Sequence, residues 1–303
     1  MRFVIALGGN ALIQPGQRGT VEEQLKNLNK AVSHIVSLVK KGHKIIITHG
    51  NGPQVGNILL QQEATKDVPA MPLYICGAES QGLIGYMIQD ALYDKLHKSK
   101  LDIPVITIVT RVLVDKNDPG FKEPTKPIGP FYKKKPSQKD WKIIEVPKGF
   151  RRVVPSPDPK KIIEEEAVKI LSKNSIVVAC GGGGVPVIKG PKGYEGVDAV
   201  IDKDLASARL ASDIKADYLV ILTDVSNVYV NYNRPNQEKL GLISLKELKK
   251  HQKSGHFPSG SMGPKVEASI RFLEAGGKKV IITDFNLLEK AVSRKAGTVI
   301  SKV

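Results

Sequence analysis

Three short apolar runs in this chain end in the same way. Phe3-Val4-Ile5-Ala6-Leu7 stops at Gly8-Gly9-Asn10, Ile45-Ile46-Ile47-Thr48 runs into His49-Gly50-Asn51-Gly52-Pro53, and Ile176-Val177-Val178-Ala179-Cys180 runs into Gly181-Gly182-Gly183-Gly184. A short apolar run of this kind reads as a buried strand. A glycine turn at its end lets backbone N–H groups approach a ligand, because no Cβ stands between them. One such turn is as readily a tight βα connection with no ligand. Three with the same layout point to one anion site, built from several loops at one edge of a sheet.

The segments between the runs carry helical spacing. Val21, Leu25, Leu28, Val32, Ile35 and Val39 share one face of a helix over 21–41, which Gly42 stops. A strand over 44–48 is followed by a helix through Val55, Ile58, Leu59 and Gln62, a helix over 80–96 and a β-branched strand over 103–110. The order β, α, β, α, α, β favours a parallel sheet with crossover helices. Residues 115–159 break this pattern. They are rich in proline, too long for an ordinary connection, and too basic for a core. Residues 115–161 hold 13 Lys/Arg against 6 Asp/Glu. This stretch reads as an inserted lobe or lid, with Phe131, Tyr132, Trp141 and Val153-Val154 able to form a small core of its own. Regular order then resumes: a helix over 159–173, a strand over 175–180, a hairpin from 185–188 and 199–201, a helix over 203–214 and a strand over 218–222. Helices over 245–252 and 264–275, a strand over 279–283, a helix over 287–294 and a last strand over 298–301 complete the reading.

With 303 residues the chain suits one large α/β domain or two lobes. Its apolar runs are far below the roughly 18 residues needed to span a membrane, and the first strand begins without a signal peptide before it, so a cytoplasmic protein is expected. Cys76 and Cys180 have no metal or redox spacing, and no two histidines stand at i, i+4. The net charge of +16 suits anionic small substrates better than nucleic acid, because the aromatics of the basic stretch are scattered. Walker A, dinucleotide G-x-G-x-x-G and nucleophile-elbow patterns are all missing from the sequence.

Three lysines stand in surroundings suited to phosphate. Lys203 opens a helix between Asp202 and Asp204, Lys265 opens another after Gly260-Ser261-Met262-Gly263-Pro264, and Lys126 lies in the basic insertion. A helix N-terminus that also carries a lysine combines dipole, N–H groups and full charge. Of Asp202 and Asp204, one reads as an N-cap; a carboxylate here could also hold the lysines or take part in Mg2+ binding. Thr223-Asp224-Val225 follows a strand and reads as a cap, a turn or the wall of a nucleotide pocket.

Taken together and in order, 3–12, 49–56, 80–89, 117–132, 151–159, 181–187, 199–206, 223–225 and 256–265 resemble the carbamate kinases of the amino acid kinase superfamily. Ala6 and Leu7 stand where most acid kinases of that superfamily place a lysine, and the segment from Asn117 to Tyr132 is similar to the protruding subdomain of carbamate kinases. The resemblance implies a three-layer αβα sandwich around a mainly parallel sheet of about eight strands. It implies an N-terminal carbamate lobe (1–114 and 159–190), a protruding lid subdomain (115–158) and a C-terminal nucleotide lobe (191–303). The reaction implied is reversible transfer of a phosphoryl group between ATP and carbamate, direct and without a covalent phosphoenzyme, in arginine metabolism among other settings. Lys126, Lys203, Asp204 and Lys265 would be catalytic. Gly8, Gly9, Asn10, Gly50, Asn51, Gly52, Gly182 and Gly183 would bind the substrate, and Thr223, Asp224, Ser261, Met262, Gly263 and Lys265 the nucleotide. Mg2+ would arrive with ATP or ADP, held mainly through their phosphates, and no direct protein ligand is assigned to it. A cytoplasmic homodimer is implied, without nucleic acid or membrane partners.

Two features depart from the family pattern: the Lys133-Lys134-Lys135 run, and the segment from Tyr232 to Gln237, where nucleotide contacts are expected. A kinase of the same superfamily acting on acetylglutamate or uridylate is the nearest alternative, and the missing early lysine argues against it. A non-catalytic anion or nucleic-acid binder is the alternative of another class.

Overall fold

A computed structural model of the chain describes residues 1–14, 16–138, 140–146, 149–257 and 260–303. In the first part, β1 (Arg2–Leu7), α1 (Val21–Lys40), β2 (Lys44–His49), α2 (Gly52–Glu63), α3 (Leu73–Lys98) and β3 (Val105–Thr107) follow one another. A capping box starts α1: Thr20 Oγ1 accepts from the Glu23 amide, and the Glu23 carboxylate accepts from the Thr20 amide. Such a cap stabilises a helix by about 1 kcal/mol. The helix ends where Gly42 takes a φ of +75°.

Next come β4 (Arg111–Leu113), β5 (Lys126–Tyr132), β6 (Lys142–Val146), β7 (Gly149–Val154), β8 (Lys161–Ile162), α4 (Glu165–Leu171), β9 (Ile176–Val178), β10 (Val185–Gly190) and β11 (Gly193–Gly196). The remainder holds α5 (Lys203–Asp213), β12 (Tyr218–Thr223), β13 (Val228–Val230), β14 (Glu238–Leu240), β15 (Leu242–Ser244), α6 (Leu245–Lys253), α7 (Met262–Glu274), β16 (Lys279–Asp284), α8 (Leu288–Val292) and β17 (Thr298–Ser301).

The central sheet has eight strands in the order β15-β17-β16-β12-β1-β2-β9-β3. All neighbours run parallel except β16 and β17. Alternate residues of β1 face opposite layers. Phe3, Ile5 and Leu7 pack with Leu28, Val32 and Ile35 of α1 and Ile84 of α3. Val4 and Ala6 pack with Leu210 and Ala211 of α5 and Val266 and Ile270 of α7. This period of two buries the strand on both faces and yields the expected αβα sandwich. Each large side chain so buried contributes about 2 kcal/mol.

The insertion folds as a three-stranded antiparallel sheet in the order β5-β7-β6. Pro127 and Pro130 sit in β5 because it is an edge strand, and the register slips between Ile128 and Tyr132. The separate small core expected there does not form: Ile128 and Val154 pack against Val55 and Leu59 of α2 and Leu73 and Cys76 of α3, while Trp141 lies against Tyr132 and beneath Arg152. Phe131 is half exposed and lies under Arg151. Lys139, Pro147 and Lys148 of this expected lobe lie outside the described residues.

Several expectations need correction. β10 pairs with β11, so the hairpin does not involve 199–201, which is not a strand. The turn at Gly190 and Gly193 brings the strand straight back, while 199–201 is spent delivering Asp202 to α5. The helix expected over 159–173 is shorter, because Lys161–Ile162 pairs with β4 first. The strand expected over 103–110 is shorter, β3 alone at Val105–Thr107, and β4 follows beyond it in a different sheet. The helix expected from residue 80 begins at Leu73.

Candidate active site

Strands β1, β2 and β9 each lead, at their C-terminal ends, into the glycine turns singled out in the sequence. The turns meet. Lys203 at the start of α5 crosses over Gly50, its Cδ 3.5 Å from where a Cβ would sit. Gly182 (φ +61°) lies so close to the Asn51 side chain that a Cβ would meet its Nδ2 at 2.0 Å. The Asn51 amide is held in turn by Ser80 Oγ of α3 at 2.8 Å. Gly9, Gly50, Asn51, Gly52 and Gly182 thus form one wall of a cleft of about 200 Å³. The opposite wall is Asp202, Lys203, Asp204, Ser261 and Lys265, and Lys126 enters from the inserted sheet. Gly8, Asn10 and Gly183 are not among the lining residues. Gly8 is needed for packing, since a Cβ there would meet Leu222 O at 2.7 Å, and one on Gly183 would meet Ile201. Asn10 lies in the helical turn Gly9–Ala11.

The charges form one network. Asp204 is 3% exposed. Its Oδ1 accepts from Lys203 Nζ, and its Oδ2 accepts from Lys265 Nζ at 3.1 Å. Burial alone would push the Asp204 carboxyl up, but the two ammonium groups outweigh it and hold it well below the usual carboxylate range. Burial pulls Lys203 down, against the pull of Asp204; Lys265 is also buried, yet Asp204 leaves it above the usual lysine value. Asp202 fills both roles offered for it. Its Oδ1 caps α5 through the amides of Asp204 (2.8 Å) and Leu205 (3.2 Å), and its Oδ2 accepts from Lys126 Nζ at 2.6 Å.

A second cavity of about 220 Å³ adjoins the first and shares Ser261 and Lys265 with it. It is lined by Thr223, Asp224, Val225, Tyr229, Tyr232, His256, Phe257 and Met262. Of the four expected nucleotide-site residues besides the shared pair, Thr223, Asp224 and Met262 line it, while Gly263 sits in the first turn of α7 outside the lining. Pro258 and Ser259, inside the expected motif 256–265, lie outside the described residues. The aromatic pair Tyr229 and Tyr232, with ring centroids 5.9 Å apart, was not legible by motif. Tyr232 begins the stretch that fits no family pattern. His49 was also missed. It is 1% exposed, its Nδ1 pairs with Gly50 O at 3.0 Å, and burial pushes its pKa down to about 4, with Lys203 acting in the same direction. The neutral ring therefore donates from Nδ1 and fixes the Gly50 turn.

Comparison with known proteins agrees with this geometry. A model of the Amino acid kinase family matches residues 1–284, the span that carries both walls of the cleft. Carbamate kinase of Thermococcus kodakarensis is 49% identical over 308 residues, covering 98% of each chain. Carbamate kinase 2 of Enterococcus faecalis is 47% identical over 309 residues, covering 99% of this chain and 98% of the relative. Among solved structures, carbamate kinase from Giardia lamblia bound to citric acid superposes with a TM-score of 0.94 at 43% identity, over 99% of this chain and 98% of that one. The same enzyme bound to AMP-PNP gives 0.92 at 44% identity, with the same coverage. The chain belongs to the amino acid kinase family, in its carbamate kinase branch.

Proposed function

We propose that the cleft transfers a phosphoryl group reversibly between ATP and carbamate, giving ADP and carbamoyl phosphate. The observation that carries this reading is the pair Lys203 and Lys265, both clamped on the buried Asp204 and facing glycine turns that offer backbone N–H groups. The small cleft suits an acceptor the size of carbamate, and the adjoining aromatic cavity suits a nucleoside.

In the forward direction a carbamate oxygen forms a bond to the γ-phosphorus as the bond to the β-phosphate oxygen breaks. Carbamate is already an anion, so no proton must be removed. Transfer is direct and in line, and the protein's work is positioning and charge neutralisation. Lys203 and Lys265 neutralise the transferring group and the β- and γ-phosphates. Lys126, anchored on Asp202, adds a third cation from the lid, and Asp204 orients the first two. Gly9, Gly50, Asn51, Gly52 and Gly182 form the acceptor floor, and Gly8, Asn10 and Gly183 shape the turns behind it. Thr223, Asp224, Ser261, Met262 and Gly263 frame the nucleotide, with Tyr229 and Tyr232 beside it.

Mg2+ fits this donor set as a companion of the nucleotide. Both oxygens of Asp204 are held by lysines, and both of Asp202 by Lys126 and the α5 amides. The metal would therefore ride on the phosphates and screen their charge. A homodimer is supported by α3, which exposes Leu83, Tyr86 and Tyr93, and by β3 at the edge of the central sheet. Among the described residues no helix is long and apolar enough to cross a membrane, and we assign the chain to the cytoplasm, with carbamoyl phosphate of arginine breakdown as one source of substrate. The lobe boundaries at residues 114, 158 and 190 follow the same reading.

Acceptor identity is tested by ADP release from ATP with carbamate, N-acetylglutamate or uridylate. Turnover with carbamate alone supports the reading. Turnover with either of the others in its place refutes it.

A further inference from the structure

We infer that Gln81 and Thr110 are positioning residues for the acceptor floor: they clamp Cys180 in the left-handed conformation that aims the Gly181–Gly183 turn at the cleft. The inference rests on the phosphoryl-transfer reading of the site.

Cys180 has φ +50° and ψ +37°. Only glycine adopts that conformation freely, so a cysteine there must be held by its surroundings. Its carbonyl accepts from the Gly183 amide at 3.0 Å within the turn, and what ties it to the rest of the fold is its own amide, which donates to Thr110 Oγ1 at 2.8 Å. Thr110 is itself fixed at every polar atom. Its amide donates to Gln81 Oε1 at 3.0 Å, its hydroxyl donates to the same oxygen at 3.1 Å, and its carbonyl accepts from Gln81 Nε2 at 3.1 Å. The carbonyl also accepts from the Val185 amide at 2.8 Å, just past the turn. Gln81 and Thr110 are 1% and 0% exposed, so neither can touch substrate.

Geometry carries the clamp to the cleft. Gly182 stands against the Asn51 side chain, and Asn51 is held by Ser80, the neighbour of Gln81 on α3. One turn of α3 therefore fixes two of the three glycine walls relative to each other. Nothing in this network reaches the nucleotide cavity.

The test separates the two substrates. Thr110→Val keeps shape and removes the acceptor of the Cys180 amide. KM for carbamoyl phosphate is expected to rise about tenfold or more, with kcat falling and KM for ADP within about twofold of the unmodified protein. Thr110→Ser keeps the hydroxyl and restores the low KM. Cys180→Gly, added to Thr110→Val, recovers much of the loss, because glycine holds the conformation without a clamp. Should Thr110→Val not fold, Gln81→Glu carries the test. It keeps both acceptor bonds, sets a carboxylate against the Thr110 carbonyl, and is expected to show the same selective rise. Unchanged KM for carbamoyl phosphate, or equal rises in both KM values, overturns the inference. Hydrogen exchange across 179–187 reads the clamp without turnover: faster exchange in Thr110→Val than in Thr110→Ser supports it, and equal exchange overturns it. An unmodified protein that turns over neither substrate defeats the reading of the site instead, and the exchange measurement still decides the clamp.

Discussion

Asp204→Asn is the sharpest single perturbation of this site. The wild-type carboxylate is buried between Lys203 and Lys265, whose side chains are only 12% and 16% exposed. Asparagine keeps the shape and removes the charge. Two ammonium groups are then left in a poorly solvated cleft with no shared counter-ion. Breaking one buried pair costs about 3–5 kcal/mol, and the amide oxygen of asparagine still accepts one hydrogen bond, so a loss of about 3 kcal/mol is expected. Turnover should fall on the order of 10²-fold, because the lysines no longer hold their places before the phosphates arrive. Urea denaturation in chloride measures the first effect and ATP formation the second. A third consequence follows from linkage: an added anion, such as sulfate, stabilises the variant more than the wild type, since it binds the folded form in place of the lost carboxylate. An unfolding midpoint equal to wild type, with turnover within about threefold, would show that Asp204 does not carry the charge arrangement.

Other expectations are narrower. Lys126→Ala should lower kcat on the order of 10²-fold, while its partly exposed pair with Asp202 costs about 1 kcal/mol or less on denaturation. Gly56→Ala would place a Cβ 2.0 Å from the Gly129 amide nitrogen, jamming α2 against β5; a loss of about 3 kcal/mol or more in thermal unfolding is expected. His49 is held near pKa 4 in the folded chain, against an ordinary histidine value of 6.5. The unfolded chain therefore binds the proton first as pH falls, and stability drops between those values by about 3 kcal/mol; His49→Gln should flatten that slope. Tyr86→Glu with Tyr93→Glu should convert a dimer to monomers in sedimentation velocity, and an unchanged sedimentation coefficient rejects the α3 interface.

The parts of this molecule legible in the sequence were those set by local rules. The 3.6-residue spacing from Val21 to Val39 placed α1 within a residue, and the apolar runs placed β1, β2 and β9. The glycine turns and the lysines that open helices were legible because each is a local device, and the sheet brings them together. What failed depended on distant partners. Residues 126–132 carry two prolines and a glycine, and become a strand only because β7 pairs with one side of them. Asp202 could be read as a cap or as a lysine holder; the structure gives one oxygen to each. His49, Gln81 and Thr110 had no spacing signal at all. Their importance lies in bonds across 29 to 70 residues of chain for Gln81, Thr110 and Cys180, which no periodicity reveals.

ATP formation from ADP and synthetic carbamoyl phosphate addresses the central claim directly. The arrangement of Lys203, Lys265 and Asp204 over the glycine turns predicts ready ATP formation by the purified protein, lost on the order of 10²-fold or more in Lys203→Ala. No ATP from the unmodified protein, or equal ATP from Lys203→Ala, would contradict it.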